Sequence, residues 1–175
     1  MNDAQKADTV STGANYRAIA VDVSLLALFT CTIFYKQIIL GKPLGTPSLF
    51  NDMYILSRPT LEFTAQRLLD GAIPLWNPYW FAGMPHAAAP SSLTFYPPVL
   101  LFGFMDFHTA YAVIIIVHVF LCGVFGYFLA RSLMPYRTIA LLMGIHFAVW
   151  LILGNGAAKA GHLWTVITLS FTPLA

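Results

Sequence analysis

Asp52 is the carboxylate best placed for chemistry. It follows a long apolar run by about a dozen residues, a height at which it could take a proton from a hydroxyl while its chain stays anchored in lipid. The pair Asn51-Asp52 ahead of Pro59 fits a helix cap equally well. Lys159 and His162, in the polar stretch from Asn155 to His162, could meet a phosphate; a snorkelling lysine and a capping histidine would read the same way. Arg58 and Arg67 are further phosphate candidates, although arginines on an amphipathic helix more often meet lipid headgroups. His118 and His146 fall inside apolar runs, where a neutral imidazole bonded between helices explains them by packing. Asp22 and Asp106 read as interfacial charges, Asp70 as a helix end, and Cys31 and Cys122 as small core residues. No pair has metal-ligand spacing with a supporting ligand set, so neither a metal nor another cofactor is indicated.

These groups must be positioned by elements that live in lipid. Hydrophobic residues make up 58% of the chain and charged residues 9%, too few for the aqueous surface of a soluble domain. The net charge of +2 contains no basic stretch dense enough to suggest a nucleic-acid partner, so none is expected. The sequence predicts an all-α, multi-spanning transmembrane helical bundle. Residues 1–17 read as a disordered cytoplasmic tail, 18–40 as the first span, 109–130 as the second and 138–154 as the third. Residues 131–137 form a cytoplasmic turn, in which Pro135 stops the helix and Arg131 and Arg137 join Lys6 and Arg17 on the inner side. Residues 155–162 are then an outer loop. Residues 163–175 read as a fourth span cut short, because 13 residues cannot cross a bilayer core of about 30 Å. On that reading the natural polypeptide continues, and this form alone is inactive and poorly stable for want of its C-terminal helices.

The extracytoplasmic loop 41–108 carries most of the information. Pro59 opens an amphipathic helix with Leu61, Ala65, Leu68 and Leu69 on one face, closed by Asp70-Gly71. From Gly71 to Pro85, prolines and glycines forbid regular helix while aromatics give rigid contact area, which reads as a shaped pocket wall. Leu93 to Phe107 is apolar but broken at Pro97-Pro98, suiting a re-entrant or interfacial segment.

From about Leu49 onwards the chain resembles the YfhO-type bacterial membrane proteins, multi-spanning glycosyltransferases with the GT-C fold. The resemblance rests on Asp52, Gly71 with Pro74-Leu75-Trp76-Asn77-Pro78-Tyr79, Gly83-Met84-Pro85, Tyr96-Pro97-Pro98, His118 with Gly123, and Gly161-His162. It implies the N-terminal part of an enzyme of the bacterial inner or plasma membrane, which moves a sugar from a polyprenyl-phosphate carrier to a lipid or cell-envelope acceptor. On that footing Asp52 becomes the catalytic base. Trp76 offers a stacking face and Asn77 hydrogen bonds to the sugar, while Arg58, Lys159 or His162 balances phosphate charge. The alternative is a non-catalytic membrane component, such as a lipid or sugar transporter, whose outer loop binds without reacting.

Overall fold

The computed structural model describes residues 3–44, 52–154 and 162–174, and the protein is mostly helical. Helix α1 covers Asp3–Ile33 and is followed after Phe34 by α2, Tyr35–Leu40. The backbone is therefore helical from Asp3, where a disordered tail to residue 17 was expected; Ala4, Gln5, Lys6 and Ala7 are strong helix formers. A π-helical turn, Met53–Ser57, leads into α3, Arg58–Leu69. A two-residue antiparallel ribbon pairs β1, Trp76–Asn77, with β2, Met84–Pro85. Helix α4 spans Leu101–Phe104, α5 Phe107–Leu133, α6 Arg137–Val149 and α7 Leu163–Ser170.

Two helices, Asn15–Ile33 and Phe107–Leu133, are long and apolar enough to cross a membrane. The shorter apolar helical stretches Arg137–Leu153 and Leu163–Leu174 lie in the regions read as spans three and four. Asp106, read above as an interfacial charge, starts α5 as its cap, its carboxylate accepting from the Thr109 backbone N–H at 3.1 Å. The segment from Pro97 to Phe104 is a 3-10 turn running into α4, and it packs on α3. Leu61 and Ala65 are buried on α3, whereas Leu69 is largely exposed, so the apolar face of this helix docks on protein through its first turns.

Helices α5 and α6 form the tightest pair, as an antiparallel hairpin. Small residues line the seam: Gly123, Gly126 and Ala130 on α5, and Ala140, Gly144 and Ala148 on α6, all buried. Such a stripe lets two backbones approach closely enough to gain dispersion contacts along their length. A Cβ on Gly144 would lie 2.8 Å from the Gly123 carbonyl oxygen, a backbone atom that cannot swing away. Gly144→Ala should therefore force the hairpin apart and cost about 1–3 kcal/mol. Unfolding in detergent with increasing denaturing surfactant would measure it, and an unchanged midpoint would contradict the close approach.

Helix α1 joins this hairpin through charge. Asp22, read as an interfacial residue, is 1% exposed. The Arg137 guanidinium donates from Nε at 2.8 Å and Nη2 at 2.8 Å to its two oxygens, and the Tyr127 hydroxyl donates at 2.9 Å. This fork-on-carboxylate geometry satisfies a charge that an apolar helix could not otherwise hold away from water. Arg137, assigned above to a turn, is the first residue of α6, and its side chain reaches back towards α1. Cys31, expected in the core, is exposed; Cys122 is buried in the α5–α6 seam.

Candidate functional site

Asp52 immediately precedes the π-helical turn, yet its side chain makes no capping hydrogen bond. Its Oδ2 instead lies 3.1 Å from Nε2 of His162, which immediately precedes α7. A carboxylate only accepts, so Nε2 carries the hydrogen and donates. Both side chains remain about half exposed, at 49% and 46%, and so stay open to a reactant. Two residues 110 positions apart in the chain are thus brought into hydrogen-bond contact.

The dyad sits at the edge of a cavity of about 180 Å³ formed where three segments converge. Asp52 ahead of the π-helical turn and Thr60 in α3 form one side, the loop after α3 contributes Trp80, Met84 and His86, and His162 with Trp164 in the first turn of α7 completes it. The space suits one ring-sized group and falls below the roughly 300–1,000 Å³ of sites that enclose a whole drug-sized ligand. A larger substrate would leave its remainder outside.

The aromatic loop forms one wall, through residues other than those singled out in the sequence. Trp76 is 56% exposed, and its indole packs against the backbone at Gly83, where a Cβ would come within 2.6 Å of the ring. Gly83 also has φ +111°, so both space and backbone demand glycine. Phe81 and Ala82 just before it take left-handed conformations, φ 49° and 59°, which turn the loop so that Trp80 and Phe81 line the cavity and Trp76 does not.

Asn77 is 1% exposed and is therefore unavailable to a ligand, correcting its expected role as a sugar contact. Its Oδ1 accepts from the Tyr79 backbone N–H at 3.0 Å, which fixes the amide orientation, so Nδ2 donates to Nδ1 of His86 at 3.3 Å. His86 Nδ1 is then an acceptor, and Nε2 must carry the ring hydrogen, donated at 2.7 Å to the Thr64 hydroxyl. The single Thr64 hydroxyl hydrogen is in turn shared between the carbonyls of Thr60 at 2.9 Å and Ser92 at 2.8 Å. The chain of bonds locks a neutral imidazole at the cavity wall and ties the loop that follows α3 back to that helix.

Arg58 does not reach Asp52: its Nε donates to Glu62 at 2.9 Å and its guanidinium lies 5.8 Å from the Phe107 ring. Lys159 lies outside the described residues. His118 is held within the fold, donating from Nδ1 to the Ile114 carbonyl at 2.7 Å and accepting from the Tyr96 hydroxyl at 3.0 Å. Among the described residues, no group of three His, Cys, Asp or Glu side chains could hold a metal ion.

The chain matches no protein-family model, no curated protein and no solved structure. The arrangement must therefore be read from its own chemistry: a half-exposed carboxylate oriented by an imidazole, beside an aromatic-walled space for one ring. Trp80, His86 and Trp164 were not singled out in the sequence. Trp80 shares the Trp76 loop, and only the left-handed turn decides which of the two indoles meets the cavity.

Burial depresses the pKa of His86. The unfolded chain, with an ordinary histidine pKa of about 6.5, then binds more protons than the folded one below that pH. The stabilisation is fully present above about pH 6.5 and is lost as pH falls towards the depressed value. Hydrogen-exchange protection of Thr64 to Thr94, corrected for the intrinsic slowing of exchange in acid, should fall on acidification through that window, and His86→Gln, which cannot titrate, should flatten the profile. Equal pH dependence in both proteins would dismiss the locked imidazole as its cause.

Proposed function

We propose that the protein is a multi-spanning membrane glycosyltransferase of the GT-C type, acting on the outer side of a bacterial cell membrane. It would move a sugar from a polyprenyl-phosphate carrier to a lipid or cell-envelope acceptor. The observation that carries this reading is the contact between Asp52 and His162 at an aromatic-walled cavity. Inverting transfer needs one base and one place for a sugar ring, and these residues supply both. Asp52 takes the proton of the acceptor hydroxyl on Oδ1 while His162 holds Oδ2, so the carboxylate keeps one orientation through the reaction. The acceptor oxygen then bonds the anomeric carbon as the bond from that carbon to the carrier phosphate breaks, and the carrier leaves as a phosphate. Trp80 and Trp164 give a sugar ring apolar faces to stack on.

Lipid embedding is supported by α1, where Val21, Leu25 and Leu28 are exposed on a helix long enough to cross a bilayer. A carrier with its tail in lipid and its sugar phosphate in water would reach a site set just beyond that helix. The test uses membranes from cells carrying the full-length protein, incubated with polyprenyl-phosphate hexoses labelled in the sugar. Label should pass to an extractable lipid or envelope fraction only where the protein is present. If no hexose of the panel is transferred, the enzymatic reading fails.

A further inference from the structure

A second, larger cleft of about 450 Å³ lies between α2 and the start of α5, away from the Asp52 cavity. Its mouth carries Lys42, set just past the left-handed Gly41 that ends α2, and Asp106, the cap of α5. Further along the two helices from these charges the lining turns apolar, with Ile38 on α2 and Ala112, Val113 and Ile116 on α5. Thr109, Ala112, Val113 and Ile116 follow the spacing of one helix face, so this wall is a strip running down α5. Since α5 is long and apolar enough to cross a membrane, the cleft is graded along the direction of a lipid molecule, with charge at one end and hydrocarbon surface below. A water-soluble ligand would leave the strip uncovered, and a purely apolar one would bury the charges unpaired.

The mouth holds charges of both signs. Hydrogen bonds from the Thr109 side chain and then its backbone hold the Asp106 carboxyl well below the usual carboxylate range, so it stays ionised and opposes a headgroup that is only anionic. We propose that this cleft binds a zwitterionic phospholipid bearing a primary ammonium, with its phosphate at Lys42, its ammonium at Asp106 and an acyl chain along Ala112, Val113 and Ile116. A primary ammonium donates hydrogen bonds to the carboxylate, which a quaternary one cannot do. The inference rests on the chain lying in a membrane and is independent of transfer at Asp52.

The test takes the full-length protein in mild detergent, adds phosphatidylethanolamine and phosphatidylglycerol together, and reads the bound lipid by native mass spectrometry. Wild-type protein should retain the ethanolamine lipid preferentially. Asp106→Asn keeps a good cap but loses the charge, and should abolish that preference. Lys42→Glu should lower retention of the ethanolamine lipid about tenfold, the scale of one charge-assisted hydrogen bond. Val113→Trp, at a partly exposed position, fills the apolar strip without touching either charge and should reduce both lipids. Equal retention of the two lipids by wild-type protein, or a preference that survives Asp106→Asn, overturns the proposal. Loss of glycosyl transfer in the same preparation would bear on the Asp52 reading alone, since bound lipid is read separately.

Discussion

Asp52→Asn should fold as the parent does and, if the proposed glycosyl transfer is its activity, lose that transfer by about a hundredfold or more, the scale of a missing general base. Asn is nearly isosteric and can still accept from His162 Nε2 through its carbonyl, so the 3.1 Å contact has a surviving counterpart. What it cannot do is take a proton. The expected signature is a fall in kcat with KM little changed, because carrier and acceptor still bind. His162→Gln retains a donor to the carboxylate and should lose far less, whereas His162→Ala frees the carboxylate to rotate and should fall between the two. Transfer by Asp52→Asn at near the parental rate would remove Asp52 from the chemistry and leave the dyad as a brace between the π-helical turn and α7.

The second large effect concerns the Asp22–Arg137 pair. Removing one partner leaves the other charge uncompensated, and Asp22 is nearly inaccessible to water. Arg137→Gln should markedly reduce the yield of monodisperse protein in detergent. Adding Asp22→Asn to it should restore much of the loss, because the double variant strands no charge. The readout is a double-substitution cycle on thermal midpoints. A double variant no better than Arg137→Gln would mean that the pair matters for its shape rather than its charge. Tyr127→Phe, which removes only the neutral donor to Asp22, should cost the least of the series.

Particular residues show what a linear sequence can carry. Asp52 and His162 stood out singly, by residue type and by nearness to apolar runs, but their contact spans 110 positions and no local pattern encodes it. Asp22 looked interfacial because a lone acid in an apolar helix has no visible partner; the partner sits 115 positions on, in what read as a turn. Pro59 and Gly71 were more legible, since each acts through its own backbone, whereas the small-residue seam of α5 and α6 was not legible, because it needs two helix faces in register. The Trp76 loop was legible as a wall but not residue by residue. Which indole faces the cavity depends on two non-glycine residues in left-handed conformation, a choice that propensity disfavours and the surrounding contacts impose.

The reach of the Asp22–Arg137 pair also sets an order of events during synthesis. Helix α1 leaves the ribosome with its carboxylate unpartnered, and 115 residues must follow before the guanidinium exists. At about 5–20 residues per second, that interval lasts roughly 6–23 s. If α1 spans a bilayer as proposed, it bears the penalty of an unpaired acid through that interval, which would draw Asp22 towards the membrane surface and leave the helix shallow. On the membrane reading proposed above, the first helix made would thus be among the last to be seated, taking its final depth when the α5–α6 hairpin delivers the arginine.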